Sequence, residues 1–202
     1  MTHLLIVCTA NICRSPVAEA ALAGALSATG IVVTSAGTAS RDGAPAAPES
    51  VEYVRSVLGI RLQHRSRALT PMIATGADLV LTLTQQQKTQ VIREAPSVVR
   101  RTFTLLELAG ITRELGPEDW FADLRSFAQG CARRRSRGGK GQIDLDVPDP
   151  YGGPPADYRR SFDLIRDAAE EVSRSIVDRV AILPAPLEDL DGPAPRTHRR
   201  EP

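Results

Sequence analysis

Several features common in proteins are scarce in this 202-residue chain, and each shortage excludes a class of function. Cysteine occurs three times, at Cys8, Cys13 and Cys131, an odd number at irregular spacing that does not read as a disulfide framework. No CxxC pair exists and the three histidines are scattered at 3, 64 and 198, which argues against a structural zinc site. Charge is almost balanced, at +1, so no global field points to nucleic acid or an anionic membrane. No stretch approaches the ~20 apolar residues of a membrane span. The apolar run Leu4–Val7 is too short for the core of a signal peptide, and polar residues follow it at once. A soluble, cytoplasmic protein is expected. No G-x-x-x-x-G-K-[ST] follows any strand candidate, which excludes a P-loop nucleotide enzyme. There are no internal repeats.

What is present alternates. Leu4–Val7 reads as a short buried strand ending at Cys8. Ser15-Pro16 reads as a helix start, and Gly30 as its end. "IVVTS" reads as a second strand, residues 37–47 as a loop, and "PESVEYVRSVLG" as a helix. "ADLVLTLT", 77–84, is the strongest strand signal. "QQQKTQVIREA" follows as a helix, "VVRRTFTL" as a fourth strand, "LLELAGI" as a short helix, and 117–130 as weakly helical. Residues 158–183 form a long amphipathic helix with Phe162, Ile165, Ala169, Val172, Ile176 and Val180 on one face. Alternation of this kind predicts an α/β fold, a single three-layer domain with a parallel sheet flanked by helices. The domain is expected to span 1–183. A basic, glycine-rich insert at 132–142 is expected to be mobile, with Arg133–Arg135 solvated, and the tail 184–202, with five prolines, to be disordered.

In parallel sheets ligands bind at the carboxyl ends of strands, and Cys8 lies at one. Cys8-Thr9-Ala10-Asn11-Ile12-Cys13-Arg14-Ser15 separates that cysteine from an arginine by five residues. A loop of this length can curl its N–H groups inward into an anion nest, to which the next helix adds its own free N–H groups. Arg14 supplies a planar fork of donors matched to two phosphate oxygens. Such surroundings stabilise a thiolate at Cys8, aimed at a bound phosphorus. The Ser15 hydroxyl can cap the helix, donate to the thiolate, or do both in turn. Against this stands the ordinary reading of a strand-end cysteine as a small core residue.

"CTANICRSP" resembles the signature of the low-molecular-weight protein tyrosine phosphatases, C-x5-R-S-P after a short N-terminal strand, with one departure: Ala10 stands where the family usually has glycine. "SAGT" at 35–38, "HRSRALT" at 64–70, "ADLVLTLT", and "DPYGG" from Asp149 to Gly153 match in order and spacing, so the resemblance covers residues 3–181. It implies a four-stranded sheet, and a phosphotyrosine hydrolase that uses Cys8 as nucleophile, Arg14 and the 9–15 loop to hold phosphate, and Asp149 as general acid and then base. It further implies that Asn11 shapes the loop, that His64 supports Asn11, and that Tyr151 walls the substrate ring. Cys13 lies five residues from Cys8 in a curled loop, so a reversible disulfide between them is expected, against the plain reading of Cys13 as passive packing. No metal or cofactor is implied. The expected partners are phosphotyrosine proteins, with no nucleic acid or membrane, and a monomer is expected. Arsenate reductase shares the loop but relays its disulfide through further paired cysteines, whereas Cys131 stands alone. Protein-arginine phosphatases place a threonine where Ile12 stands. A non-catalytic phosphate-binding module is the alternative from another class, and Cys8, Arg14 and Asp149 together argue against it.

Overall fold

A computed structural model describes residues 1–135 and 145–181. Four strands, β1 (His3–Cys8), β2 (Val32–Gly37), β3 (Leu79–Thr82) and β4 (Thr102–Thr104), form one parallel sheet in the order β2-β1-β3-β4. Seven helices are described with them: α1 (Arg14–Ala25), α2 (Pro48–Val57), α3 (Pro71–Gly76), α4 (Gln85–Glu94), α5 (Leu105–Arg113), α6 (Leu124–Arg135) and α7 (Pro155–Arg179).

The period-two alternation of the strands assigns the layers. Leu4, Ile6 and Cys8 of β1 and Leu79 and Leu81 of β3 enter one core with buried residues of α1, α2, α5, α6 and α7. Leu5, Val7 and Val80 point the other way, against Ala74 of α3 and Val91 of α4. Both faces are covered, so the strands read as continuous apolar runs. Phe162, Ile165, Ala169, Val172 and Ile176 of α7, and Val180 just past its end, are all buried, as the stripe predicts. Phe162 meets the rings of Tyr53 and Tyr158 edge-on at 5.2 and 5.8 Å.

Several expectations need correction. Ser15 does not cap α1: the residue before the helix is Cys13, without a side-chain cap, and Ser15 turns inward. The helix stops at Ala25, and Gly30, at φ 70°, closes a separate 3₁₀ turn, Ser27–Thr29. The fourth strand is only three residues long, because Pro96–Arg101 forms a 3₁₀ turn that consumes its first half. Helix α3 lacked a sequence signal beyond Thr70-Pro71, where Thr70 accepts from the Ile73 N–H. Residues 132–135 are the last turn of α6 and not a loop. Arg134 grips Asp119 with bonds of 2.6 and 2.7 Å. Arg135 lies over the Phe103 ring at 4.7 Å and donates to the Thr102 carbonyl at 3.0 Å. The turn therefore covers edge strand β4. The rest of the expected insert and the whole tail lie outside the described residues, as does the 183/184 boundary.

Candidate active site

β1 ends at Cys8, at the carboxyl edge of the sheet, and α1 begins six residues later at Arg14. The intervening loop is fastened on several sides. Thr38 and Ala39, just past β2, donate their N–H groups to the Cys8 and Thr9 carbonyls, each at 2.9 Å. The Ile12 carbonyl accepts the Ala47 N–H at 2.7 Å, and the Cys13 carbonyl accepts the Ser50 hydroxyl at 3.0 Å. Gly37 is the position where glycine is needed: a Cβ there would lie 2.6 Å from the Thr9 carbonyl oxygen and 3.0 Å from the Asn11 Cβ. The loop and the end of β2 approach at backbone distance.

Asn11 organises the interior. It is fully buried and adopts φ 54°, the left-handed region that asparagine tolerates better than most residues. Its backbone N–H donates to Cys8 Sγ at 3.2 Å. Its side-chain Nδ2 donates to Ser15 Oγ at 2.9 Å and to Ser35 Oγ at 2.7 Å, and its Oδ1 accepts the Arg67 N–H at 2.9 Å. All three contacts agree on one amide orientation. Ser15 Oγ accepts from Asn11, which leaves its proton for Cys8 Sγ, 3.0 Å away. The Ser35 hydroxyl in turn donates to the Glu19 carboxylate. His64 Nε2 donates to the Asn11 carbonyl at 2.7 Å, and its Nδ1 lies 3.8 Å from Glu19. The sulfur thus receives an N–H and faces a hydroxyl, and an arginine stands at the start of the helix behind it.

Arg14 is 3% exposed. One arm of its guanidinium donates to the Val147 carbonyl at 3.0 Å and the other to Asp149 Oδ2 at 2.7 Å, across 135 residues of sequence. The Asp149 side chain is half exposed and also accepts the Tyr151 N–H at 3.3 Å. Tyr151 stands exposed beside it, and the Gly152 N–H reaches the Tyr158 hydroxyl at 3.2 Å. Thr9 is exposed, Ala10 and Ile12 are partly buried, and Cys13 is buried. Burial pushes the Cys13 thiol up to about 12, so at neutral pH it is a protonated, poorly nucleophilic group.

The structure thus brings Cys8, Asn11, Arg14, Ser15, His64 and Asp149 into one site. Glu19, Ser35, Gly37, Arg67 and Gln87 join it and carry no chemical signal in the sequence beyond the glycine and serine of "SAGT".

Comparison with known proteins agrees with this architecture. A family profile for low molecular weight phosphotyrosine protein phosphatases matches residues 3–117. The chain belongs to that family. Its members are phosphoric monoester hydrolases. A Ralstonia solanacearum protein named "Probable low molecular weight protein-tyrosine-phosphatase EpsP" is 41% identical over 106 residues, 52% of this chain and 71% of that one. The Geobacillus stearothermophilus protein-arginine-phosphatase is 30% identical over 89% of this chain and 93% of its own. The structure of YwlE arginine phosphatase from the same organism superposes with a TM-score of 0.67 at 25% identity, covering 88% of this chain and 94% of that one. The relatives thus include proteins named as phosphatases of two different residues, tyrosine and arginine.

Proposed function

We propose that this member of the family hydrolyses phosphotyrosine monoesters in proteins through a phosphocysteine intermediate on Cys8. The observation that carries the reading is the Arg14–Asp149 contact at 2.7 Å, which ties the candidate acid to the arginine that closes the loop bearing the candidate nucleophile.

The steps follow from the groups present. The phosphate dianion docks among the 9–15 N–H groups and the Arg14 fork, which stabilise charge on the equatorial oxygens. In docking it takes the place of the Asp149 carboxylate against Arg14. Cys8 Sγ attacks phosphorus in line, the P–O bond to the ring breaks, and Asp149 protonates the departing phenolate. A phenol ionises only near pH ~10, so expelling it unprotonated is slow. The Asp149 carboxylate then takes a proton from water, whose oxygen attacks phosphorus and releases phosphate and the Cys8 thiolate. Ser15, donating to the sulfur, stabilises the thiolate as it leaves. Asn11 and His64 hold the loop in shape, and Tyr151 offers a face to the substrate ring. Cys13 is proposed to trap a Cys8 that peroxide has oxidised to the sulfenic acid, forming a disulfide and releasing water, slowly because burial keeps the Cys13 thiol protonated; mild peroxide followed by peptide mapping tests this, and a sulfonic acid at Cys8 beside a free Cys13 counts against it.

A second reading, protein-arginine phosphatase, has support from the Geobacillus relative, which aligns over most of both chains. Ile12 and the exposed Tyr151 favour the aromatic ester, because both offer apolar contact to a ring. Matched peptides carrying phosphotyrosine or phosphoarginine separate the two. The proposal expects the larger kcat/KM on phosphotyrosine, and the reverse order hands the site to the second reading.

A further inference from the structure

The turn from β3 into α4, residues 83–87, touches both loops of the site. On one side Gln87, 4% exposed, donates through Nε2 to Thr9 Oγ1 at 3.0 Å. On the other, the Leu83 carbonyl accepts the Val147 N–H at 2.8 Å, and the Gln85 N–H donates to Asp146 Oδ1 at 2.7 Å. Thr9 directly follows Cys8, and Val147 lies two residues before Asp149. One turn therefore grips the chain beside each reacting group.

Within that turn Gln87 has two separable duties. Its Oε1 accepts the Leu83 and Thr84 N–H groups, each at 3.0 Å, while Thr84 Oγ1 accepts the Gln87 N–H at 3.2 Å. This is a capping box, and it uses only the oxygen of the amide. Helix α5 builds the same box with Thr104 and Glu107, so a carboxylate serves capping equally well. The nitrogen is surplus to capping and is spent on the phosphate loop. Two accepted bonds fix the Oε1 end, which leaves Nε2 aimed at Thr9. A carboxylate at this place would set negative charge against a loop that must bind a phosphate dianion.

The geometry points to Gln87 as a positioning residue that sets the phosphate loop in register with the acid-bearing loop through Thr9. This rests on the roles proposed above for Cys8 and Asp149. Gln87 touches no reacting atom. It acts by holding Thr9, and with it the start of the anion nest.

The test measures kcat and KM on p-nitrophenyl phosphate, inhibition by inorganic phosphate, and melting temperature for a small set of variants. Thr9→Val removes the acceptor and leaves the capping box intact. Its kcat/KM should fall by about tenfold, with KM rising, inorganic phosphate inhibiting less well and the melting temperature falling by no more than about 2–4 °C, the cost of one lost hydrogen bond. Thr9→Ser should restore most of the loss. Gln87→Glu keeps the cap and should weaken phosphate inhibition at least as much. Gln87→Met, alone and combined with Thr9→Val, completes a cycle in which the double should lose little more activity than the worse of its two singles, the mark of one shared contact. The inference is overturned if Thr9→Val and Gln87→Glu both stay within about twofold of the parent in kcat and KM, or if the two single losses multiply in the double. Should Gln87→Glu fail to fold, Thr9→Val and Thr9→Ser decide alone. Cys8→Ser serves as the control: activity surviving it overturns the proposed chemistry itself, whereas a dead Cys8→Ser beside unaffected Thr9 and Gln87 variants overturns this inference only.

Discussion

Replacing Asn11 removes the centre of the site's internal wiring, and the cost can be worked out. Asn11→Ala deletes the side-chain bonds to Ser15, Ser35 and the Arg67 N–H in a fully buried place. At about 1 kcal/mol per bond the loss is about 3 kcal/mol. Alanine must also adopt φ 54°, which costs about 1 kcal/mol more. For a domain of this size each kcal/mol corresponds to a shift of about 2–4 °C, so the melting temperature should drop by roughly 8–16 °C. Asn11→Gly is spared the left-handed penalty and should recover part of the drop. The assay is thermal unfolding by circular dichroism, with kcat/KM on an aryl phosphate measured on each variant well below its transition. Both variants should lose activity, because the Ser15 hydroxyl and the loop N–H groups are no longer held at the sulfur. A melting point for Asn11→Ala within about 3 °C of the parent, or an alanine variant more stable than the glycine one, would refute the reasoning.

Further outcomes follow from the same contacts. Asp149→Asn should slow hydrolysis of phenyl phosphate by ~10²–10⁴-fold and affect p-nitrophenyl phosphate much less in the step that expels the leaving group, because a good leaving group needs no proton; single-turnover rates on the two esters check this. Gly37→Ala should cut activity and stability together, since its methyl must displace the Thr9 carbonyl and Asn11, and a melt with parallel kinetics measures both. Alkaline stability should reveal the buried thiols. Burial pushes Cys131 up to about 12, so below the ordinary thiol range folded and unfolded chains bind the same protons there. Above it the unfolded thiol ionises and the folded one does not, so this contribution is lost as pH rises toward about 12. Urea midpoints across that range should fall less steeply for Cys131→Ala than for the parent.

The parts of the fold that could be read from the sequence are those written in local periodicity. Leu4–Val7 and Leu79–Leu81 are continuous apolar runs because both faces of the sheet are covered, and α7 shows its buried face in a clean stripe. β4 was hard to delimit because the chain enters it through Pro96–Arg101, whose 3₁₀ turn looks extended in composition. Arg133–Arg135 read as solvent-facing by charge alone, yet Asp119 and the Phe103 ring hold the last two against the protein. The site divides the same way. Cys8 through Ser15 is one contiguous stretch of chain, so its chemistry is local and visible. Asp149 came from the resemblance to a family, since Asp-Pro-Tyr-Gly is otherwise an ordinary turn. Glu19, Ser35, Arg67 and Gln87 are everyday polar residues whose partners lie far along the chain, and only tertiary packing reveals them.

The central claim is that Cys8 takes the phosphoryl group. Asp149→Ala with p-nitrophenyl phosphate tests it most directly: the leaving group departs without an acid, while the step that activates water is crippled, so the intermediate should accumulate. Mass spectrometry of the rapidly quenched enzyme, with peptide mapping under neutral conditions, should find one phosphoryl group on Cys8 and none in Cys8→Ala carrying the same second substitution. Turnover with no covalent adduct, or an adduct on any other residue, would contradict the account.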